Sequence, residues 1–231
     1  MSLTNERTEE LRHERKFLIT DHSEKDVEQM IKLHPACFSE IFHQRTINNI
    51  YFDTLGFNNY YDNVEGETDR LKVRIRWYDD LLCKIEKPTL EFKIKKGLLG
   101  KKESYPLLPF TLDTNFSKTQ IRQSISSEKT PIHVRDLVNS LKPSLLNCYS
   151  RKYFLSADGQ FRITIDWELT YYRINYSGNT FLNRSVDYAT TVLELKYDSS
   201  LETEAKQIGN HFPFAMTKSS KYLQGMERVL F

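Results

Sequence analysis

Residues 70–78, Arg-Leu-Lys-Val-Arg-Ile-Arg-Trp-Tyr, alternate charged and apolar side chains almost without a break, and every charge is positive. A period of two places Arg70, Lys72, Arg74 and Arg76 on one face of a β-strand, with Leu71, Val73, Ile75 and Trp77 on the other. Like charges two residues apart repel, and a strand that merely faces water ordinarily mixes signs or uses Ser and Thr. The stretch therefore reads either as a solvated strand or as one wall of an anion site.

The rest of the chain sharpens that choice. With 33 Lys and Arg against 31 Asp and Glu, the protein as a whole is nearly balanced. Residues 70–102 hold 11 basic and 4 acidic side chains, a net of +7, so the remainder carries −5 to reach the chain's +2. A local excess of this kind focuses a field on one surface and suits a multiply charged anion.

At 231 residues and 39% hydrophobic composition, the chain can bury a substantial core, and no linker-like stretch or solenoid repeat divides it. A single domain spanning 1–231 is expected. The opening residues MSLTNERTEELRHERKF lack an apolar signal region, and no apolar run approaches about 18 residues, so the expectation is a soluble, cytoplasmic protein without a membrane span. Cys37, Cys83 and Cys148 are far apart and lack metal-ligand spacing, and so read as reduced thiols. The six histidines are scattered and suggest no ligand set.

The opening alternation recurs in His13–Ile19, in Asn49–Asp53 before the turn Asp53-Thr54-Leu55-Gly56, and in Leu90–Lys95. Tyr149–Phe154 and Arg162–Asp166 form a predicted hairpin around Ala157–Gln160, and Thr191–Tyr197 is a further strand. Helical signals are fewer. One helix is predicted after the cap Ser23, ending near His34-Pro35; a second from about Pro131 to Leu141; a third from about Leu201 to Phe212. Residues 103–130 have weak periodicity and read as loop with room for a short helix. The fold class is α+β. Its strands need helices over their apolar faces, while their charged faces either line the lumen of an antiparallel β-barrel or meet solvent on an open sheet.

Three acids stand two residues before a lysine: Glu14 before Lys16, Glu91 before Lys93, and Glu194 before Lys196. On a strand, both members of each pair share a face. Carboxylates hold hard divalent cations and interleaved Lys and Arg bind phosphate oxygens, so the set suits a metal-bound polyphosphate. Ordinary cross-strand salt bridging would satisfy the same pairs.

The ordered set HERKF, IYFDT, RLKVRIRWY, LEFKIKKG followed by GKK, SRKYF, ITIDW, VLELKY and TKSSKYLQG resembles the polyphosphate polymerase domain of the vacuolar transporter chaperone family, over residues 11–226. That family belongs to the triphosphate tunnel metalloenzymes, so the resemblance implies an antiparallel barrel forming a polar tunnel with short helices packed outside. It also implies transfer of the ATP γ-phosphoryl group to a growing polyphosphate chain, with Mn²⁺ or Mg²⁺. By the same likeness Lys16, Arg74, Arg76, Lys93, Arg151 and Lys221 would contact substrate phosphates, and Glu194 would be the principal metal ligand. Glu14 and Glu91 join it as metal candidates. Lys72, Tyr149, Lys196 and Lys218 are further candidates for substrate binding from their positions beside these residues. The superfamily's first strand carries two acids and a lysine at alternate positions, whereas here they are Arg12, Glu14 and Lys16. The cation at the first position weakens a two-metal hydrolase reading.

No GxxxxGK[ST] or GxGxxG phosphate loop is present. Three functions remain open: the polymerase, a tunnel triphosphatase acting on triphosphate or nucleotide, and a non-catalytic module binding polyphosphate or nucleic acid. The expected partners are ATP and polyphosphate or triphosphate, with no nucleic acid. Tyr51, Trp77 and Tyr78 keep base stacking in view. Family members often work beside membrane segments, which leaves room for a separate membrane partner.

Overall fold

The computed structural model describes residues 12–96 and 99–230. Residues 1–11 of the N-terminal stretch read above for targeting signals lie outside the described residues. The chain runs β1 (Arg12–Ile19), α1 (Glu24–Lys32), β2 (Ser39–Asp53), α2 (Asn58–Val64), β3 (Arg70–Tyr78), β4 (Lys84–Ile85), β5 (Thr89–Lys96), β6 (Leu99–Pro106) and β7 (Phe110–Thr111). It continues through α3 (Lys118–Ser124), α4 (Ile132–Ser140), β8 (Lys142–Leu155), β9 (Arg162–Tyr172), β10 (Arg184–Asp187), β11 (Thr191–Asp198), α5 (Glu202–Asn210) and α6 (Lys221–Val229).

One antiparallel sheet dominates, in the order β1-β11-β9-β8-β2-β3-β5-β6, with β10 beside β9; β4 and β7 form a separate ribbon. The sheet curls into a half-barrel. Alternation assigns its two faces. Val73, Ile75 and Trp77 of β3 are at most 2% exposed, packed with Phe110, Phe116, Val134 and Val138 from the segment holding α3 and α4. Phe17 and Ile19 of β1, with Leu193 and Leu195 of β11, pack on Val27 and Ile31 of α1 and on Ala205 and Ile208 of α5. The charged residues between these positions fall on the concave face.

Local chemistry explains the elements. Ser23 caps α1 through a reciprocal capping box with Asp26, as its sequence predicts. Pro131 occupies the N-cap position of the second predicted helix, α4. The region 103–130, weakly periodic in sequence, contributes the second half of β6, then β7 and α3. β2 starts ten residues before the stretch recognisable from its apolar pattern, because its polar first half is held by the β8 ladder from Ser39 onward. The three cysteines are free, and no helix among the described residues is long and apolar enough to cross a membrane.

α6 packs against the concave side, among Leu145, Tyr149, Leu169, Tyr171 and Val192. The segment leading to it is pinned to the outer edge of β1. Thr217 donates its backbone N–H to the Lys16 carbonyl at 2.8 Å and accepts at its hydroxyl from the Leu18 N–H, and Met216 bridges to Phe17. This strap satisfies edge groups that would otherwise invite another strand. A buried carboxylate anchors the helix itself: Asp53 accepts the N–H groups of Asn59 and Tyr60 at the start of α2 and the phenol of Tyr222.

Gly225 sets how closely α6 approaches the sheet. A Cβ there would lie 2.5 Å from Leu145 Cδ2 and from Tyr171 Cδ1, both on side chains with no solvent access. Gly225→Ala is expected to destabilise the fold by about 1–3 kcal/mol through overpacking, measured by urea unfolding. Affinity for inorganic triphosphate should fall as well, because α6 carries Lys221 into the cavity described next.

Candidate functional site

The concave face encloses a cavity of about 800 Å³. Ten Lys and Arg side chains line it against three Glu, so the excess of positive charge expected from residues 70–102 is concentrated on one space. The register shows how each element contributes. On β3, Lys72, Arg74 and Arg76 face inward, opposite Lys93, Glu91 and Thr89 of β5. On the far wall Lys16 of β1 lies opposite Glu194 of β11, and Glu14 opposite Lys196. Between the walls, Arg151 of β8 pairs with Asp166 of β9.

Twelve of the residues singled out from sequence line this cavity: Glu14, Lys16, Lys72, Arg74, Arg76, Glu91, Lys93, Tyr149, Arg151, Glu194, Lys196 and Lys221. Arg70, at the start of β3, lies outside the lining. Lys218 is exposed on the strap and lies outside the lining. Arg12 opens β1, but its side chain lies outside the described residues.

The carboxylates divide the cations among themselves. Glu194, 6% exposed, lies 3.2 Å from Lys16 Nζ, 3.4 Å from Lys196 Nζ, 3.6 Å from Arg151 and 3.7 Å from Lys221 Nζ. Burial alone would raise its pKa, but these cations, Lys16 foremost, hold it well below the usual carboxylate range. Glu14 Oε1 also reaches Lys16 at 3.2 Å, and its second oxygen lies 3.4 Å from Lys93. Burial opposes charge on Lys16 as well, yet Glu194 and Glu14 carry its pKa above the ordinary lysine value. Glu91 takes Arg74 Nε at 2.8 Å and Nη2 at 2.6 Å, with Lys102 at 2.7 Å. Arg74 and Arg76 overcome burial to draw its carboxyl down to about 2.

Lys72 differs from all of these. Its Nζ donates to Ser220 Oγ at 2.9 Å, and no carboxylate forms a salt bridge with it among the described residues. Burial, then repulsion from Lys16, Lys93, Arg70 and Arg74, lowers its pKa to about 7. An ammonium held this way is stabilised by any anion that enters.

Some site residues were not evident from the sequence. Asp166 is fully buried; it accepts two hydrogen bonds from Arg151 and lies 2.6 Å from Lys221 Nζ, so it aims both cations. Its position in Ile-Thr-Ile-Asp marks an inward face, but only the β8–β9 register reveals its partner. Asn49 holds Arg76 Nε at 3.0 Å and is itself bonded to Asn147. The Tyr51 ring stacks on Tyr222, with centroids 5.0 Å apart, and its hydroxyl reaches Arg74 at 3.4 Å. Tyr51 is therefore covered, and Trp77 is core, so neither offers an open face to a base. Tyr149 accepts from Arg76 at 3.3 Å; burial would raise its pKa, but Arg151 and Arg76 bring it below the usual phenol value.

No group of three or more His, Cys, Asp or Glu among the described residues could by itself hold a metal ion. Glu14 and Glu194 nevertheless converge on the same Lys16 ammonium. Two carboxylates with substrate phosphates and water make up the usual Mg²⁺ shell, so this pair fits a hard divalent cation that arrives with a phosphate ligand. Glu91 lies on the other wall, shares no cation with that pair among the described residues, and serves to orient Arg74.

Comparison with solved structures finds similar folds at low identity. The PH1819 protein of Pyrococcus horikoshii OT3 aligns with TM-score 0.49 and 13% identity over 94% of this chain and 96% of its own. A Vibrio parahaemolyticus protein described as a candidate adenylate cyclase aligns with TM-score 0.51 and 11% identity, over 93% of this chain and 98% of that one. The second likeness supports the curled-sheet tunnel fold and says nothing of activity. Among curated proteins none matches by sequence. The family model of the VTC domain matches residues 11–230, essentially the whole chain, and this protein therefore belongs to the VTC domain family, with the fold of the triphosphate tunnel metalloenzymes.

Proposed function

We propose that this chain is an ATP-dependent polyphosphate polymerase, transferring the γ-phosphoryl group to the end of a polyphosphate chain within the cavity. Family membership supports a polyphosphate-related or triphosphate-binding role. The observation that carries the finer reading is the excess of ten cations over three carboxylates around one cavity.

Phosphoryl transfer passes through a loose transition state with charge spread over non-bridging oxygens, so alignment and charge stabilisation are the main tasks. Arg151 is fixed by Asp166 and Arg76 by Asn49, which aims two planar guanidiniums without further ordering. Arg74, bound to Glu91 and Tyr51, extends the same wall. Lys16, Lys72, Lys93 and Lys221 act as point charges along the phosphate chain. The terminal oxygen of the acceptor attacks the γ-phosphorus, the bond to the ADP oxygen breaks, and the chain lengthens by one phosphate. Mn²⁺ or Mg²⁺ held by Glu194 and Glu14 would neutralise charge on the phosphates and the leaving group. No protein nucleophile is needed. Each cavity carboxylate is ion-paired, which favours transfer to phosphate over activation of water.

Incubation of the protein with ATP and Mn²⁺, followed by gel staining for anionic polymer and assay of ADP and free phosphate, tests the reading. Long polymer is expected. Free phosphate without polymer would assign a triphosphatase, and ATP left unconsumed would assign a binding module.

Two substitutions separate metal chemistry from charge attraction. Glu194→Gln should reduce metal-dependent turnover on the order of 10²-fold while metal-free triphosphate binding is retained or strengthened, since an anion has left the cavity. Arg74→Ala should lose binding and turnover together, on the order of 10²-fold in kcat/KM. Normal activity with an unchanged metal requirement in Glu194→Gln would make Glu194 a salt-bridge partner only.

Lys72 predicts a pH dependence. In the free protein it loses its proton through about pH 7, whereas an ordinary lysine keeps it to about 10.4. A bound polyanion restores that proton, so binding takes one up between those limits and affinity falls as pH rises. Calorimetry of ATP binding between about pH 7.5 and 9, above the last phosphate ionisation near 6, should show proton uptake. Lys72→Arg should abolish the uptake and flatten the affinity profile; uptake that persists in the variant would assign the titration to another group.

A further inference from the structure

Beyond Arg76 and Arg151, the neighbouring ends of β3, β2 and β8 carry a cluster that the phosphate site does not use. Tyr78 follows Arg76 by two residues on the same strand face, and Tyr153 follows Arg151 in the same way, each about 6.6 Å farther along. Both strands run antiparallel to β2, so these two ends lie at one mouth of the cavity. Arg45 of β2 lies opposite Arg151 in register. Its guanidinium carbon sits 4.7 Å from the ring centre of Phe42, 5.7 Å from that of Tyr78 and 5.7 Å from that of Tyr153. Arg151 lies 5.8 Å from the same Tyr153 ring, which makes Tyr153 the joint between the phosphate clamp and the mouth.

Two features of this cluster point to a ligand. Phe42 and Tyr78 are 46% and 43% exposed, and Phe42 meets Tyr153 edge to face at 5.6 Å, so aromatic surface remains accessible to solvent next to Arg45. Arg45 is exposed, and among the described residues no carboxylate pairs with it. A guanidinium plane among aromatic rings is a stacking surface for a flat, electron-rich ring system. Tyr78 and Tyr153 stand one strand step, about 6.6 Å, beyond Arg76 and Arg151, which are suited to phosphate.

We infer that Arg45, Phe42, Tyr78 and Tyr153 form a stacking site for the nucleobase of a nucleoside triphosphate whose phosphates occupy the cavity. This inference rests on the nucleotide donor of the proposed function. The cluster presents faces and no arrangement of base-edge partners, so purines should be favoured over pyrimidines by ring area and adenine over guanine hardly at all.

The test compares ATP with inorganic tripolyphosphate, which shares the phosphates and lacks the base. Calorimetric affinities without metal are measured for the wild type, for Phe42→Leu combined with Tyr78→Leu, and for Arg45→Gln. Equal thermal midpoints show that the variants are folded, and Arg45→Gln stands alone should the double variant not fold. ATP affinity should fall about 5- to 30-fold while tripolyphosphate stays within about twofold. Quenching of ethenoadenosine triphosphate fluorescence on binding should weaken in parallel. If both ligands lose affinity equally, or neither does, the stacking site is overturned and the phosphate reading stands. If wild-type protein binds neither ligand, the proposed function falls and the stacking site falls with it.

Discussion

Asp166 is a carboxylate without solvent access that holds Arg151 on one side and Lys221 on the other. Ions taken out of water cost several kcal/mol each unless they are paired and hydrogen-bonded. That requirement governs the whole concave face. Ten cations cannot share a cavity of this size uncompensated, and the carboxylates are spaced so that each wall has one: Glu194 and Glu14 for β1 and β11, Asp166 for β8 and α6, Glu91 for β3, β5 and β6. Compensation stays incomplete at Lys72, which donates to a hydroxyl and has no carboxylate partner among the described residues. The pairing stabilises the folded concave face, and an anion bound beside Lys72 would relieve the shortfall.

The same pairs pre-organise the chemistry. A guanidinium already bound to a carboxylate or an amide loses little freedom when it meets a phosphate, so Arg151 and Arg76 present their remaining N–H groups in fixed directions. The lysines carry compact charges on flexible four-carbon stems, which under the proposed polymerase function would suit a polymer that shifts past them by one phosphate per cycle. On that proposal, arginines would hold the phosphates and lysines would let them slide.

Much of this was legible in the sequence, because alternation survives folding. Arg70 through Tyr78 lies on one strand with the predicted faces, and Glu194, Lys93 and Arg151 could be assigned inward from two or three neighbours each. What escaped depends on register or on distant partners. Asp166 acquires meaning only opposite Arg151. α2 starts from Phe57 in a left-handed conformation, with no cap of its own; Asp53 supplies the acceptors from upstream. α6 carries a glycine at its centre, which ordinarily argues against a helix, yet Leu145 and Tyr171 require that glycine. Lys218, a candidate from its place three residues before Lys221, lies on the strap before the chain turns into the cavity.

The strap along β1 bears on how the molecule assembles. β1 finds its place only against β11, some 180 residues later in the chain, and is then covered on its other edge by Met216 and Thr217. Contacts so far apart in sequence pay their loop-closure entropy before they return any stabilisation, and so they form late. The hairpins β2–β3, β3–β5 and β8–β9 can assemble without them. A chain at that stage has most of its sheet and the cations of its central strands, but lacks Lys16, Glu194 and Lys221. The central basic wall then carries Glu91 and Asp166 but not yet Glu14 and Glu194, and during that interval a stray polyanion such as nucleic acid would meet it as an open surface.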